Sequence, residues 1–176
     1  NYVNPTNFFD SPEARREALS GYYAAVEAMD ANVGRILNWL ERQGLRENTL
    51  IFFTSDNGMN MGHHGICGKG NGTDPLNMYE TSVKVPAIVS RPGYVPEGGV
   101  CEELFSHYDW MPTLLDYLGI ENPVADALPG QSFAPLLNGD EVEGSGAVVV
   151  FDEYGPTRMI RDRAWKDVHR YPDGPH

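Results

Sequence analysis

The sequence predicts an α/β fold with a mostly parallel sheet flanked by helices. Three observations carry that prediction: a long amphipathic helix with signals at both ends, short continuous apolar runs too brief for helices, and alternation of the two along the chain. Ser11-Pro12-Glu13-Ala14 opens the helix, with Ser as N-cap and Pro at the first helical position. Tyr22, Ala25, Val26, Met29, Val33, Ile36, Leu37 and Leu40 then recur at helical spacing, and Gly44 supplies the stop. Gly34 marks the candidate kink. Thr49–Thr54 and Pro86–Ser90 are β-rich apolar runs, which reads as strands buried on both faces. Between them, residues 55–78 form a glycine-rich loop, and a loop of that length in a compact domain is usually functional or disordered. Asp109–Gly119 is a short helix with a glycine stop. Residues 121–146 are mostly loop, Ala147–Phe151 is a third strand, and Thr157–Asp162 with Ala164–His169 form a terminal hairpin.

The chain has 176 residues, enough for one domain or a piece of one. Lysine and arginine total 13 against 25 acidic residues, a formal net charge of −12. Such a field repels a phosphate backbone, so nucleic acid is not an expected partner. It also disfavours anionic membrane surfaces, and no apolar run approaches the roughly 20 residues of a membrane span. Cys67 and Cys101 fit neither a disulfide framework nor a CxxC metal site, and are expected as free thiols.

The chemistry concentrates after the first strand, which ends in Thr54-Ser55-Asp56-Asn57-Gly58. Open α/β sheets bind ligands at the carboxyl ends of their strands. Asp56 and Asn57 each present a side-chain oxygen there, a donor type suited to a hard cation such as Ca²⁺ or Mg²⁺. Taken alone, Asp-Asn-Gly reads first as a simple turn, since these are favoured turn residues. Position 12 counted from Asp56 is Cys67, which excludes an EF-hand. Lys69 follows thirteen positions after Asp56, flanked by Gly68 and Gly70, so its ammonium can approach an anion closely. It is not a P-loop, because His63 and Gly70 stand where Gly and Ser or Thr are needed. His64 is a candidate proton donor or anion contact, and His63 ranks below it.

As an ordered set these stretches resemble the sulfatase family. The resemblance runs from Tyr22–Asp30 and Val33–Leu37 through Thr49–Gly58, Met61–Gly65, Gly68–Gly70, Met78–Ser82 and Val85–Val89. It continues through His107–Leu115 to Leu128–Ser132, covering roughly residues 20–137. It implies part of an alkaline-phosphatase-like domain, truncated, that hydrolyses sulfate esters or sulfamates with a divalent metal, usually Ca²⁺. It places Asp56 and Asn57 as metal ligands, Lys69 as the contact to the sulfate group, and His64 near that group. Lys84, where the family often has Arg before Val-Pro, is structural.

The family nucleophile is a formylglycine made from Cys or Ser in Cys/Ser-x-Pro-x-Arg. Neither Cys67-Gly-Lys-Gly-Asn nor Cys101-Glu-Glu-Leu-Phe fits. The nucleophile is therefore expected upstream of Asn1, together with the family's first metal-binding Asp pair. On that expectation the 176 residues are the second half of a catalytic domain, with residues 147–176 beginning its C-terminal part. Alone they are inactive, and their uncovered helix stripe or sheet edge favours self-association. The expected substrate is a sulfated small molecule or glycan. Two alternatives stand beside this reading: a phosphodiesterase or phosphonate hydrolase of the same superfamily, and a catalytically dead, metal-stabilised binding module. Asn71-Gly72-Thr73 is formally a glycosylation sequon.

Overall fold

A computed structural model of the chain describes residues 8–73, 76–124, 127–152 and 157–171. The chain divides into two compact units, one ending at Ile88 and the other beginning at Val89.

The first unit opens with α1 (Pro12–Arg42), 31 residues long. Its start is the predicted one: the Ser11 hydroxyl accepts the Ala14 N–H at 3.1 Å, and Pro12 occupies the first turn. Its end is also as predicted. Gly44 adopts φ +66°, and Gly44 N and Leu45 N close onto Glu41 O and Leu40 O. The helix runs through Gly34 without interruption, so the candidate kink is absent.

β1 (Ile51–Thr54) pairs with β4 (Ala87–Ser90). Burial differs from the expectation. Every residue of β1 is only half-buried, and Ala87 and Ile88 are exposed, Ile88 to 59%. Continuous apolar runs report strands whose two faces both favour cover, and that cover is not provided by the described residues. The glycine-rich segment is also more ordered than a loop. β2 (Asn60–Met61) and β3 (Cys67–Gly68) form an antiparallel ribbon in the register Asn60↔Gly68, Met61↔Cys67. A single-turn helix, α2 (Glu80–Val83), follows.

In the second unit a 3-10 turn at His107–Asp109 leads into α3 (Trp110–Tyr117). A reciprocal capping box starts it: Tyr108 N donates to Ser106 Oγ, and Ser106 N donates to Asp109 Oδ2 at 2.7 Å. The buried Asp109 carboxylate also accepts Gln131 N at 2.9 Å, so its role is structural. α4 (Ala134–Leu137) packs beside α3, with Phe133, Ala134 and Leu137 buried and Phe133 ringed by Phe105 and Trp110.

β5 (Ala147–Phe151), β6 (Thr157–Asp162) and β7 (Lys166–Arg170) make an antiparallel sheet, with the terminal hairpin where it was predicted. The α/β class holds, and β2 with β3 and β5 to β7 form antiparallel ladders beside the β1–β4 pair. The connection from β6 to β7 is only residues 163–165, and a parallel return needs a crossover of a dozen or more residues.

Both cysteines are free, Cys67 buried and Cys101 exposed. Among the described residues no helix is long and apolar enough to cross a membrane.

Candidate functional site

The four residues singled out by the sequence all lie in the first unit. β1 ends at Thr54, whose hydroxyl donates to Pro86 O at 2.9 Å and ties the strand end to the segment leading into β4. The next three residues make a tight polar turn. Ser55 Oγ donates to Asn57 O at 2.8 Å, and Asn57 N donates to Asp56 Oδ1 at 2.8 Å. Asp56 is exposed and Asn57 half-buried. Asn57 Nδ2 donates to Gly58 O at 2.9 Å, which leaves its Oδ1 free to accept elsewhere. The turn and the oxygen-donor readings therefore coexist in one geometry.

Gly58 fixes how the chain leaves that turn. Its N–H donates to Ser82 O at 2.9 Å, and a Cβ at this position would sit 2.1 Å from Thr81 O. Only glycine permits that approach. Two residues on, β2 begins, and its pairing with β3 returns the chain. Because Gly68 lies opposite Asn60, Lys69 emerges at the end of the ribbon nearest Gly58 and the Asp56–Asn57 turn. Lys69 is exposed, and no salt bridge joins it to Asp56.

His64 sits in the turn between β2 and β3, with φ +56°, the one described non-glycine residue in the left-handed region. Its ring stacks face to face on Tyr79, with centroids 4.0 Å apart. The exposed His63 is tied to its own loop, its Nδ1 accepting Met61 N at 3.2 Å.

What the sequence did not reveal lies underneath. Asn60, Asn77 and Ser82 are buried and joined into one network. Asn60 Nδ2 donates to Ser82 Oγ at 2.7 Å and to Gly68 O at 3.0 Å, and its Oδ1 accepts from Thr81 Oγ1. Ser82 Oγ donates to Asn77 Oδ1 at 2.6 Å. Asn77 Nδ2 donates to Gly70 O at 3.0 Å and Thr73 Oγ1 at 3.1 Å, while Asn77 N also donates to Gly70 O. The one hint in the sequence is a polar residue between two apolar ones, Met59-Asn60-Met61. The same network bears on the sequon: the Thr73 hydroxyl accepts from Asn77, and Asn71 Oδ1 is buried, a poor setting for glycosylation.

For a cation, the donor set is oxygen-only and incomplete. Asp56 and Asn57 offer two ligands of the right type, and among the described residues no group of three or more His, Cys, Asp or Glu gathers to complete a site. Ca²⁺ takes six to eight oxygens. The two residues fit as part of such a shell.

Comparison with known proteins defines the class first and then the family. The fold neighbours are sulfatases of alkaline-phosphatase-like architecture. A structure solved in complex with its substrate D-glucosamine-2-N,6-O-disulfate superposes with a TM-score of 0.75 at 32% identity, over 88% of this chain and 32% of that one. The Sulfatase family model matches residues 1–120, and the model described as N-sulphoglucosamine sulphohydrolase, C-terminal, matches residues 70–171. The chain belongs to the sulfatase family and covers the C-terminal part of its catalytic domain.

Curated relatives include N-acetylglucosamine-6-O-sulfatase of Bacteroides thetaiotaomicron, 34% identical over 71% of this chain and 21% of the relative. They also include choline-sulfatase of Rhizobium meliloti, 32% identical over 93% of this chain and 31% of the relative. The chain thus spans between a fifth and a third of the relatives it matches.

Proposed function

We propose that the chain supplies one half of a sulfuric ester hydrolase site, in which Asp56 and Asn57 ligate a divalent cation, Lys69 binds the sulfate group and His64 handles a proton. The formylglycine nucleophile and the remaining metal ligands lie outside these residues, and the substrate is a sulfated small molecule or glycan. The observation carrying this reading is the β2–β3 register, which returns the Lys69 end of the ribbon toward the turn that ends β1.

Bound there, a Ca²⁺ or Mg²⁺ ion supplies a fixed positive charge that stabilises the oxygens of the transferring group. This chain's residues supply the rest. Lys69 neutralises negative charge on the sulfuryl oxygens, and a preorganised cation does so without reorganisation during the reaction. Its glycine neighbours leave the approach to it open. His64, held by its stack on Tyr79, in its protonated imidazolium form gives a proton to the alcohol oxygen as the S–O bond to it breaks, and is left neutral. The turn hydrogen bonds hold the Asp56 carboxylate and the Asn57 carboxamide in fixed directions before any ligand arrives.

The test is hydrolysis of an aryl sulfate. The purified 176-residue chain shows no turnover. In the intact enzyme, Lys69→Ala and Asp56→Ala each lower kcat/KM by about a hundredfold or more. Hydrolysis by the isolated chain, or full activity in the Asp56→Ala enzyme, overturns the reading.

A further inference from the structure

The buried amides under the site act on either side of one residue. Asn60 Nδ2 holds Gly68 O, and Asn77 holds Gly70 O through both its backbone N–H and its side chain. These two carbonyls flank Lys69. Ser82 joins the halves: its Oγ accepts from Asn60 and donates to Asn77, and its backbone carbonyl accepts Gly58 N, the residue after Asn57. One continuous set of hydrogen bonds therefore runs from the end of the Asp56–Asn57 turn to the peptide unit just before Lys69 and to the one that follows Gly70. Asn60 is fully buried and Ser82 and Asn77 nearly so, and a buried network of this kind rigidifies when its members are satisfied.

Glycine on both sides makes the stretch conformationally permissive. Gly68 is at φ +135° and Gly70 follows two residues later, so Lys69 sits between two residues of low intrinsic order. Its own side chain is exposed and unsupported by an ion pair among the described residues. The Asn60 and Asn77 bonds add to the β2–β3 pairing at Gly68 and to the Gly72 N–Lys69 O bond at 2.8 Å in holding the backbone here.

We infer that Asn60 and Asn77, coupled through Ser82, are positioning residues that set the place of the Lys69 ammonium relative to the Asp56–Asn57 turn. The inference rests on the proposed role of Lys69 as the sulfate contact. It adds a specific division of labour: charge from Lys69, and its placement from three buried neutral side chains that never touch the substrate. The Asn77 branch is the more informative, because its side chain can be altered while its backbone bond to Gly70 O remains.

The decisive experiment is a double-mutant cycle in the intact enzyme. Inorganic sulfate is titrated calorimetrically into the wild type, Asn77→Asp, Lys69→Ala and the double variant, and kcat/KM for an aryl sulfate is measured alongside. Asn77→Asp keeps the oxygen that accepts from Ser82, removes the side-chain donor to Gly70 O and Thr73 Oγ1, and adds a carboxyl group whose own effect the Lys69→Ala background controls for. The expected result is sulfate affinity and kcat/KM about tenfold lower in Asn77→Asp, with no further loss of affinity when Lys69 is already alanine. Asn60→Asp, which likewise keeps the acceptor and removes the donor to Gly68 O, is expected to behave the same way. Thermal midpoints accompany each variant. An equal fold-loss of affinity in the wild-type and Lys69→Ala backgrounds overturns the inference and makes the network a scaffold only, as does unchanged affinity in both Asn→Asp variants. If Lys69→Ala itself binds sulfate and turns over like the wild type, the reading of Lys69 falls first, and that outcome is visible without any Asn variant.

Discussion

His64 lies flat on Tyr79, the two ring planes within 13° of parallel and their centroids 4.0 Å apart. The contact joins the turn between β2 and β3 to the segment just before α2, and it holds a residue whose backbone is strained at φ +56°. A non-glycine residue there costs about 1–2 kcal/mol, and such strain clusters at functional sites. The first expectation follows. His64→Gly is more stable to urea than His64→Ala, by about 1 kcal/mol, because both lose the stack and only one keeps the strain. Both lose activity. Tyr79→Phe preserves the stack and the activity, whereas Tyr79→Ala lowers kcat. Equal stabilities for the two His64 variants would remove the strain from this account.

Gly58 yields a sharper stability prediction. The Cβ of Gly58→Ala would lie 2.1 Å from Thr81 O and 2.8 Å from its carbonyl carbon. Both are backbone atoms, so no side chain can swing away. Forcing them apart also stretches the Gly58–Ser82 hydrogen bond that anchors the buried amide network. We expect Gly58→Ala to destabilise by about 1–3 kcal/mol or more, the range for overpacking, measured as a lower urea midpoint. By contrast Gly34→Ala, with open space around its Cβ inside a helix, stabilises by about 0.5–1 kcal/mol. A variant pair with the opposite order would refute the close backbone approach.

How far the sequence could carry these results depends on the physical signal each feature leaves. The N-cap, proline and glycine stop around α1 act locally, so Ser11, Pro12 and Gly44 announce both ends. The β6–β7 hairpin was legible from the break between two β-rich runs. Burial of β1 and β4 differs from the expectation because an apolar run records which faces favour cover, while cover itself is a tertiary fact. The β2–β3 ribbon was invisible because two-residue strands have no period to detect. At the site, Asp56, Asn57, Lys69 and His64 could be singled out by chemistry at a strand end. Asn60, Asn77 and Ser82 could not, since a buried amide in a polar, glycine-rich stretch reads like any loop residue until its partners are known.

The β6–β7 turn is expected to contribute to acid sensitivity. The Asp162 carboxylate accepts the N–H of Trp165 at 2.5 Å and of Ala164 at 2.7 Å. These two bonds, that to Trp165 foremost, hold its pKa below the ordinary value of 3.8. A folded-state value below the unfolded one means the contribution is complete above that ordinary value and drains away as pH falls through the folded value. Asp162→Asn keeps the acceptor and removes the titration. Urea midpoints at neutral and strongly acidic pH should therefore lie closer together in Asp162→Asn than in the wild type. An unchanged gap would show that this turn plays no part in acid unfolding.

The last expectation concerns the face that α1 leaves open. None of its 31 residues is buried, and the apolar stripe read from the sequence includes Met29 at 45% exposure and Ile36 at 60%. Trp39 and Tyr23 add further exposed aromatic area on the same helix, at 51% and 65%. Apolar surface returns about 25 cal/mol for each Å² removed from water, and contiguous patches of this kind mark surfaces that seek a partner. Isolated at micromolar concentration, the 176-residue chain is expected to self-associate through this helix. Met29→Glu/Ile36→Glu places two charges seven residues apart on one helical face and should return the chain to a monomer in sedimentation velocity. Its helical circular dichroism should be unchanged, because both positions are exposed and glutamate is a good helix former. A monomeric wild type at these concentrations would show that the stripe tolerates water. An assembly insensitive to both charges would move the contact to another surface.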